Sequence, residues 1–256
     1  MIEEIFTKGV KALGLKRIED LKRVICIQPH PDDVDVGIGG TVAKLSKLGS
    51  EVTYVTMTDD RVSISDPSLT TEDIVRIRRK EQEDAASVLG VRDLVWLDYH
   101  DTELYPSLEA RSKLIELIRR KRPEAIFTVD PWLTYEAHPD HRNTGMMACE
   151  ALIFSGLYNA KPEQLREGLR PHQPQYVAFF VTQRPNTYVD ISESLEDKLE
   201  AIGKHRTQFE KMWDFFESFV RFQAERYGKE IGTRYAEAFK VMTPLLLHYN
   251  VDAERM

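Results

Sequence analysis

The sequence predicts an α/β fold of three layers, with a mostly parallel sheet flanked by helices. Two observations carry this. Short apolar runs such as Val24-Ile25-Cys26-Ile27 and Val52-Thr53-Tyr54-Val55 alternate with longer segments of helical spacing, as repeated βαβ units do. The chemistry-bearing residues cluster just after those runs: Pro29-His30-Pro31-Asp32-Asp33 after the first, His138-Pro139-Asp140-His141 after the fourth. The carboxyl ends of strands in such a sheet border the crevice where ligands bind.

Taken in order, residues 1–22 read as an amphipathic helix against the sheet edge, with Ile5, Val10, Leu13 and Leu21 apolar. A strand at 23–27 delivers the first motif. A helix opens in Gly37-Ile38-Gly39-Gly40-Thr41 and stops at Gly49. Residues 52–57 form the second strand, joined by a right-handed crossover. The polar stretch 58–71 leaves that strand on the side of the motif, either as a substrate loop or as a solvated connection. A helix over 71–89 closes at Gly90, and 94–97 form the third strand. A helix over 108–121 is stopped by Arg122-Pro123, and a fourth strand spans 124–129. The helix over 142–157 starts from the second motif, so its positive amino end faces the site and favours anions. After an irregular stretch at 158–175 come strands at 176–181 and 187–191 and a helix over 194–203. Phe209, Met212, Trp213, Phe216, Phe219, Val220 and Phe222 make a stripe at helical spacing, either a core or subunit face or a ligand-lining helix. The chain reads as a single domain, with a Rossmann-like core over 1–157 and a C-terminal cap over 158–256.

Composition narrows the function classes. The 256 residues are 42% hydrophobic and 30% charged, with a net charge of −7, as in a soluble globular protein rather than a nucleic-acid binder. The basic run Arg76-Ile77-Arg78-Arg79-Lys80 is followed at once by Glu81-Gln82-Glu83-Asp84. Cys26 and Cys149 lie among apolar residues and read as buried thiols, not a disulfide. No apolar run reaches the ~18 residues a membrane span needs, and Met1-Ile2-Glu3-Glu4 is acidic where a signal peptide is basic. The expectation is a cytoplasmic enzyme without a membrane or nucleic-acid partner.

The two motifs point to a divalent metal, zinc above all, held by His30, one aspartate of the pair Asp32-Asp33 and one histidine of the second motif. The spare aspartate is then free to act as a base. His141, fixed by the helix, is assigned to the metal; His138, in the loop before it, to acid or oxyanion work. Together these parts suit metal-assisted hydrolysis of an amide. Trp132 and Tyr135 lie between the fourth strand and His138, placed to stack on a sugar face or simply to pack. His205 reads as structural, bonding across the C-terminal part.

His30-Pro31-Asp32-Asp33 with His138-Pro139-Asp140-His141 resembles the LmbE/PIG-L family of zinc de-N-acetylases, over about residues 22–248. The resemblance includes Arg78 and Glu81, and Lys198 with His205-Arg206-Thr207-Gln208; the archaeal diacetylchitobiose deacetylases are the subgroup most similar. It implies His30, Asp33 and His141 as zinc ligands, Asp32 as general base, and His138 as the oxyanion-stabilising acid oriented by Asp140. It also implies Arg78 and Asp101 on the substrate, with His248 matching a histidine of the deacetylase subgroup. The implied substrate is an N-acetylglucosamine unit in a soluble sugar such as diacetylchitobiose or GlcNAc. A thiol or inositol glycoside of GlcNAc is the first rival and a non-catalytic sugar- or metal-binding module the second. A homo-oligomer, trimer or hexamer, is implied as well. One departure stands out: where relatives carry Thr-x-Gly after the second strand, this chain has Thr58-Asp59-Asp60.

Overall fold

The computed structural model describes residues 14–255. The strands are β1 (Arg23–Gln28), β2 (Glu51–Thr58), β3 (Asp93–Tyr99), β4 (Ala125–Val129), β5 (Tyr176–Phe180), β6 (Thr187–Asp190) and β7 (Ala236–Met242). They form one seven-stranded sheet in the order β3-β2-β1-β4-β5-β7-β6. β1 to β5 are mutually parallel. β7 is antiparallel to both of its neighbours, β5 and β6. The helices are α1 (Asp33–Lys47), α2 (Thr71–Val88), α3 (Leu108–Lys121), α4 (Pro139–Ser155), α5 (Pro162–Arg166), α6 (Leu195–Ile202), α7 (Arg206–Phe209) and α8 (Trp213–Ile231).

The central strands are buried along nearly their whole length because both of their faces are covered. Alternate residues of one strand serve opposite cores. Val24, Cys26, Tyr54, Phe127 and Phe180 pack with Val34 and Ile38 on one face. Ile25, Ile27, Val55, Ile126 and Phe179 pack with Leu114, Met147 and Leu152 on the other. The predicted three-layer α/β architecture is therefore present. The chain after 158 extends the sheet with β5, β7 and β6, while α6 and α8 pack into the first core through Leu195, Leu199, Val220 and Ala224.

The strand order places the site. β1 lies between β2 and β4, so the chain leaves β1 toward one side of the sheet and later returns on the other. That is a topological switch point, where the loops at the carboxyl ends part and leave a crevice. Both histidine motifs follow strands that border it.

Several elements differ from the sequence reading. Most of the amino-terminal helix expected over 1–22 lies outside the described residues. Within the described part, only the 3₁₀ turn Ile18–Asp20 is helical. α1 starts at Asp33, not after the glycines, and breaks at Ile38 with φ −141°. Gly37 and Gly40 sit inside it because Cβ atoms there would lie 2.5 Å from the Phe180 ring and 2.8 Å from Ile191. α4 starts at Pro139, since proline suits the first helical position. Five residues of the expected irregular stretch form α5. The irregular chain before α5 is held by buried Arg119, whose guanidinium donates to the carbonyls of Ser155 (3.1 Å), Leu157 (3.0 Å) and Ala160 (2.7 Å). β7 was not foreseen as a strand. Among the described residues, no helix is long and apolar enough to cross a membrane.

Candidate active site

The turn between β1 and α1 is held by contacts within the protein. Thr58 at the end of β2 donates its hydroxyl to the Pro29 carbonyl at 2.8 Å. Asp32, the N-cap of α1, takes φ 107° and ψ −28°, a conformation that costs a non-glycine residue roughly 1–3 kcal/mol. Two side chains of α2 hold it there. Gln82 Oε1 accepts the Asp32 N–H at 3.1 Å, and Arg78 Nη2 donates to Asp32 Oδ2 at 2.8 Å. The buried His30 and the next residue, Asp33, are thereby turned toward the crevice.

α4 delivers the other half. Gly145 lets the helix press on the end of β4: a Cβ there would lie 2.5 Å from the Val129 carbonyl oxygen and 2.8 Å from Pro131. His138 caps α4, its Nδ1 accepting the Asp140 N–H at 3.3 Å. That bond leaves the imidazole proton on Nε2. The three rings converge, with centroids 4.7 Å apart for His30–His138, 5.3 Å for His30–His141 and 5.1 Å for His138–His141.

His30, Asp33 and His141 form a donor set whose ligating atoms all lie within 4.8 Å of one another. His30 Nδ1 is 3.4 Å from Asp33 Oδ2, and His141 Nε2 is 3.5 Å from Asp33 Oδ1. Donors ~2.1 Å from one ion stand about 3.4 Å apart in a tetrahedron, and the two contacts, made to different oxygens of Asp33, are close to that separation. Each imidazole also carries a carboxylate on its other nitrogen. His30 Nε2 is 3.1 Å from Asp101 Oδ1 and 3.4 Å from Asp140 Oδ2; His141 Nδ1 is 3.2 Å from Glu136 Oε2. This carboxylate–imidazole arrangement directs the free lone pair toward a metal. A second group, His30, Asp101, His138 and Asp140, overlaps the first through His30.

The remaining expected site residues are placed as follows. Arg78 is 1% exposed, and its guanidinium is engaged by Asp32, Asp60, Glu81 at 2.6 Å and the Pro31 carbonyl. Arg78, expected on the substrate, lies under Asp32 and holds it, with three acidic side chains around its guanidinium. Asp101 sits behind His30. Asp140, fully buried, accepts the N–H groups of Thr102 (2.7 Å) and Leu104 (3.3 Å), so it touches His138 by its main chain and His30 by its carboxylate. Trp132 meets Phe179 edge-on at 5.7 Å and keeps much of its surface in solvent. Tyr135 is 96% exposed, and His248 lies in an exposed turn beside Tyr249; neither ring joins the cluster in this chain. Sequence reading missed Glu136 and Gln82. Glu136 had a signal, since it precedes His138 by two residues and accepts its N–H at 2.8 Å. Gln82 had none beyond its place beside Glu81.

Comparison with known proteins shows the family. Residues 25–152, from β1 through α4 with both histidine motifs, match the family described as PIG-L, GlcNAc-PI de-N-acetylase. The chain belongs to the PIG-L family. It is 40% identical to the diacetylchitobiose deacetylase of Thermococcus kodakarensis, covering 96% of this chain and 94% of that one. Its structure is similar to that of N,N′-diacetylchitobiose deacetylase from Pyrococcus horikoshii, with a TM-score of 0.90, 42% identity and coverage of 98% and 94%. A probable N-acetyl-α-D-glucosaminyl L-malate deacetylase of Bacillus cereus is 30% identical over 75% of this chain and 86% of its own. The protein is thus a PIG-L-family amide hydrolase of the deacetylase class.

In this PIG-L protein the electrostatics sort the two aspartates. Burial pushes the Asp33 carboxyl up, but His141 and His30 outweigh it and hold Asp33 at about 2. Asp32 is raised instead: burial dominates over the Arg78 guanidinium, and neighbouring Asp33 adds to the rise. One carboxylate is therefore suited to ligation and the other to taking a proton. Burial lowers His138, with His30 and His141 adding to the effect. Burial also works against charge on His30, yet Asp101, Asp140 and Asp33 hold its pKa well above 6.5. Protonated His30 thus stabilises the metal-free fold below its unfolded pKa, and that contribution is lost as pH rises through the folded value. A metal needs the neutral ring, so uptake must displace this proton. Metal affinity is expected to rise with pH, with about one proton released per ion. Calorimetry in buffers of different ionisation enthalpy measures that release; a pH-independent affinity would contradict the assignment.

Proposed function

We propose that the protein removes the acetyl group from an N-acetylglucosamine unit in a soluble sugar, with N,N′-diacetylchitobiose the first candidate substrate and zinc the ion. The observation that carries this is the division of labour at one turn. His30, Asp33 and His141 form a metal-sized donor set, while Asp32 beside them is held by Arg78 and left out of it. A pure binding module needs no such spare carboxylate. The names of the relatives at 40% and 42% identity supply the sugar.

A divalent cation on His30, Asp33 and His141 would supply Lewis acidity and lower the pKa of water toward ~7. Asp32 does the proton work with Oδ1, the oxygen not bonded to Arg78. It takes a proton as water adds to the acetamide carbonyl carbon, and the C–N bond then breaks as the sugar nitrogen gains a proton. The products are acetate and a free amine. His138 donates Nε2–H to the oxyanion that develops on the carbonyl oxygen. Asp101, Asp140 and Glu136 fix the imidazoles. The amino end of α4 favours negative charge at the same place. Trp132 offers an exposed face for the sugar ring.

Acetate release compared across diacetylchitobiose, GlcNAc, a GlcNAc-inositol and a GlcNAc-malate tests the substrate. The highest kcat/KM is expected on diacetylchitobiose; a preference for either conjugate would move the assignment to that sugar. We also propose a homo-oligomer. Phe215 and Phe222 on α8 are 73% and 65% exposed, with Met212 and Phe219 beside them, an apolar patch suited to a subunit face. Light scattering at micromolar concentration is expected to give a multiple of 29.6 kDa; a monomer would refute this.

A further inference from the structure

Asp32 is strained, and what holds it does not end at α2. Two hydrogen-bond chains run from it, and both finish in the same short stretch, residues 205–208, at the start of α7. The first acts on the carboxylate. Arg78 Nη2 donates to Asp32 Oδ2 at 2.8 Å, and Arg78 Nη1 donates to Glu81 Oε2 at 2.6 Å. Glu81 in turn accepts from Thr207, from N–H at 2.8 Å and from the hydroxyl at 2.7 Å. The second acts on the main chain. The Asp32 N–H donates to Gln82 Oε1 at 3.1 Å, and Gln82 Nε2 donates to Asp35 Oδ2 at 2.8 Å. His205 Nε2 meets that same oxygen at 2.8 Å. Gln82, Asp35 and His205 are fully buried, so water cannot replace these bonds.

We propose that the 205–208 stretch is a positioning element for Asp32, Thr207 acting through Glu81 and Arg78 on its carboxylate and His205 acting through Asp35 and Gln82 on its N–H. The arrangement suits a base in an unfavourable backbone conformation. Arg78, Glu81 and Gln82 lie at i, i+3 and i+4 on one face of α2. That face alone fixes the helix to the turn; the tie to α7 fixes where the face points. Neither Thr207 nor His205 touches the reacting atoms, so they are positioning residues. A displacement of about 1 Å in a catalytic group can cost ~10²-fold in rate. Loosening one outer link of two is therefore expected to cost less, roughly three- to tenfold.

The proposal rests on the proposed role of Asp32, and its test also reads the turn without substrate. Thr207 is exposed, so Thr207→Val removes the hydroxyl without disturbing a core. It is expected to lower kcat roughly three- to tenfold with KM within about twofold, and Thr207→Ser to restore it. Combined with Arg78→Lys, Thr207→Val should add little, because both act through one chain. By hydrogen exchange, the peptide spanning 28–36 should exchange several-fold faster in Thr207→Val than in wild type or in the control Arg206→Ala. Folded His205→Phe should show the same faster exchange; where that variant does not fold, the Thr207 pair decides. Wild-type kcat and wild-type exchange in Thr207→Val would overturn the proposal, as would failure of Thr207→Ser to restore either. If the wild-type protein releases no acetate, the functional reading falls and the exchange data alone decide this one.

Discussion

Asp32→Asn is expected to lower kcat by roughly 10²–10⁴-fold while the protein still takes up metal. The magnitude is that of a lost general base. The substitution keeps the size of the side chain and an oxygen that can accept from Arg78, so the turn should survive. It removes the charge that takes the proton, and Asp32 is outside the set His30, Asp33 and His141. KM should change little, because the proposed role of the carboxylate begins as water adds to the carbonyl carbon. Acetate release measured beside metal content separates the roles. Loss of metal together with activity would make Asp32 a ligand, and retention of more than about a tenth of the activity would remove it from the mechanism.

Asp33→Ala is expected to weaken metal binding by at least ~100-fold and to abolish turnover at ordinary metal concentrations. Asp33 sits between the imidazoles, 3.4 Å from His30 Nδ1 and 3.5 Å from His141 Nε2, so its removal leaves two donors without a bridge. Outer partners of metal ligands alone cost ~10–100-fold when removed. Glu136→Gln, which leaves all three donors in place and alters only a carboxylate behind them, should accordingly cost less than Asp33→Ala. Competition with a chromophoric chelator gives both affinities. Equal losses in the two variants would argue against Asp33 as a direct ligand.

The parts of this site that could be read from sequence were local. His30-Pro31-Asp32-Asp33 and His138-Pro139-Asp140-His141 lie beside strands that declare themselves as apolar runs, so their placement at strand ends followed from neighbours in sequence. What escaped depended on residues far away. The glycines at 37–40 suggested a helix start, yet they serve to admit Phe180, Lys198 and Ile191. β7 was hidden because Glu237 and Lys240 interrupt its apolar pattern. Both are buried, and Glu237 is tolerated because it pairs with Lys198 at 2.6 Å and accepts the N–H groups of Gly40 and Thr41. The acidic neighbours of Arg78 are Asp32, Asp60 and Glu81, two of them distant in sequence. The departure at Thr58-Asp59-Asp60 has a physical sense in the same place: Asp60 takes φ 57°, left-handed as a glycine would be, and its carboxylate pairs with Arg78.

The most direct test of metal-assisted deacetylation is acetate release from N,N′-diacetylchitobiose by one preparation, taken first as zinc-loaded, then after chelation, then after zinc is returned. The account predicts release that disappears with the metal and comes back with it. Equal release with and without metal, or none from folded, zinc-loaded protein on diacetylchitobiose or any other GlcNAc conjugate, would contradict it.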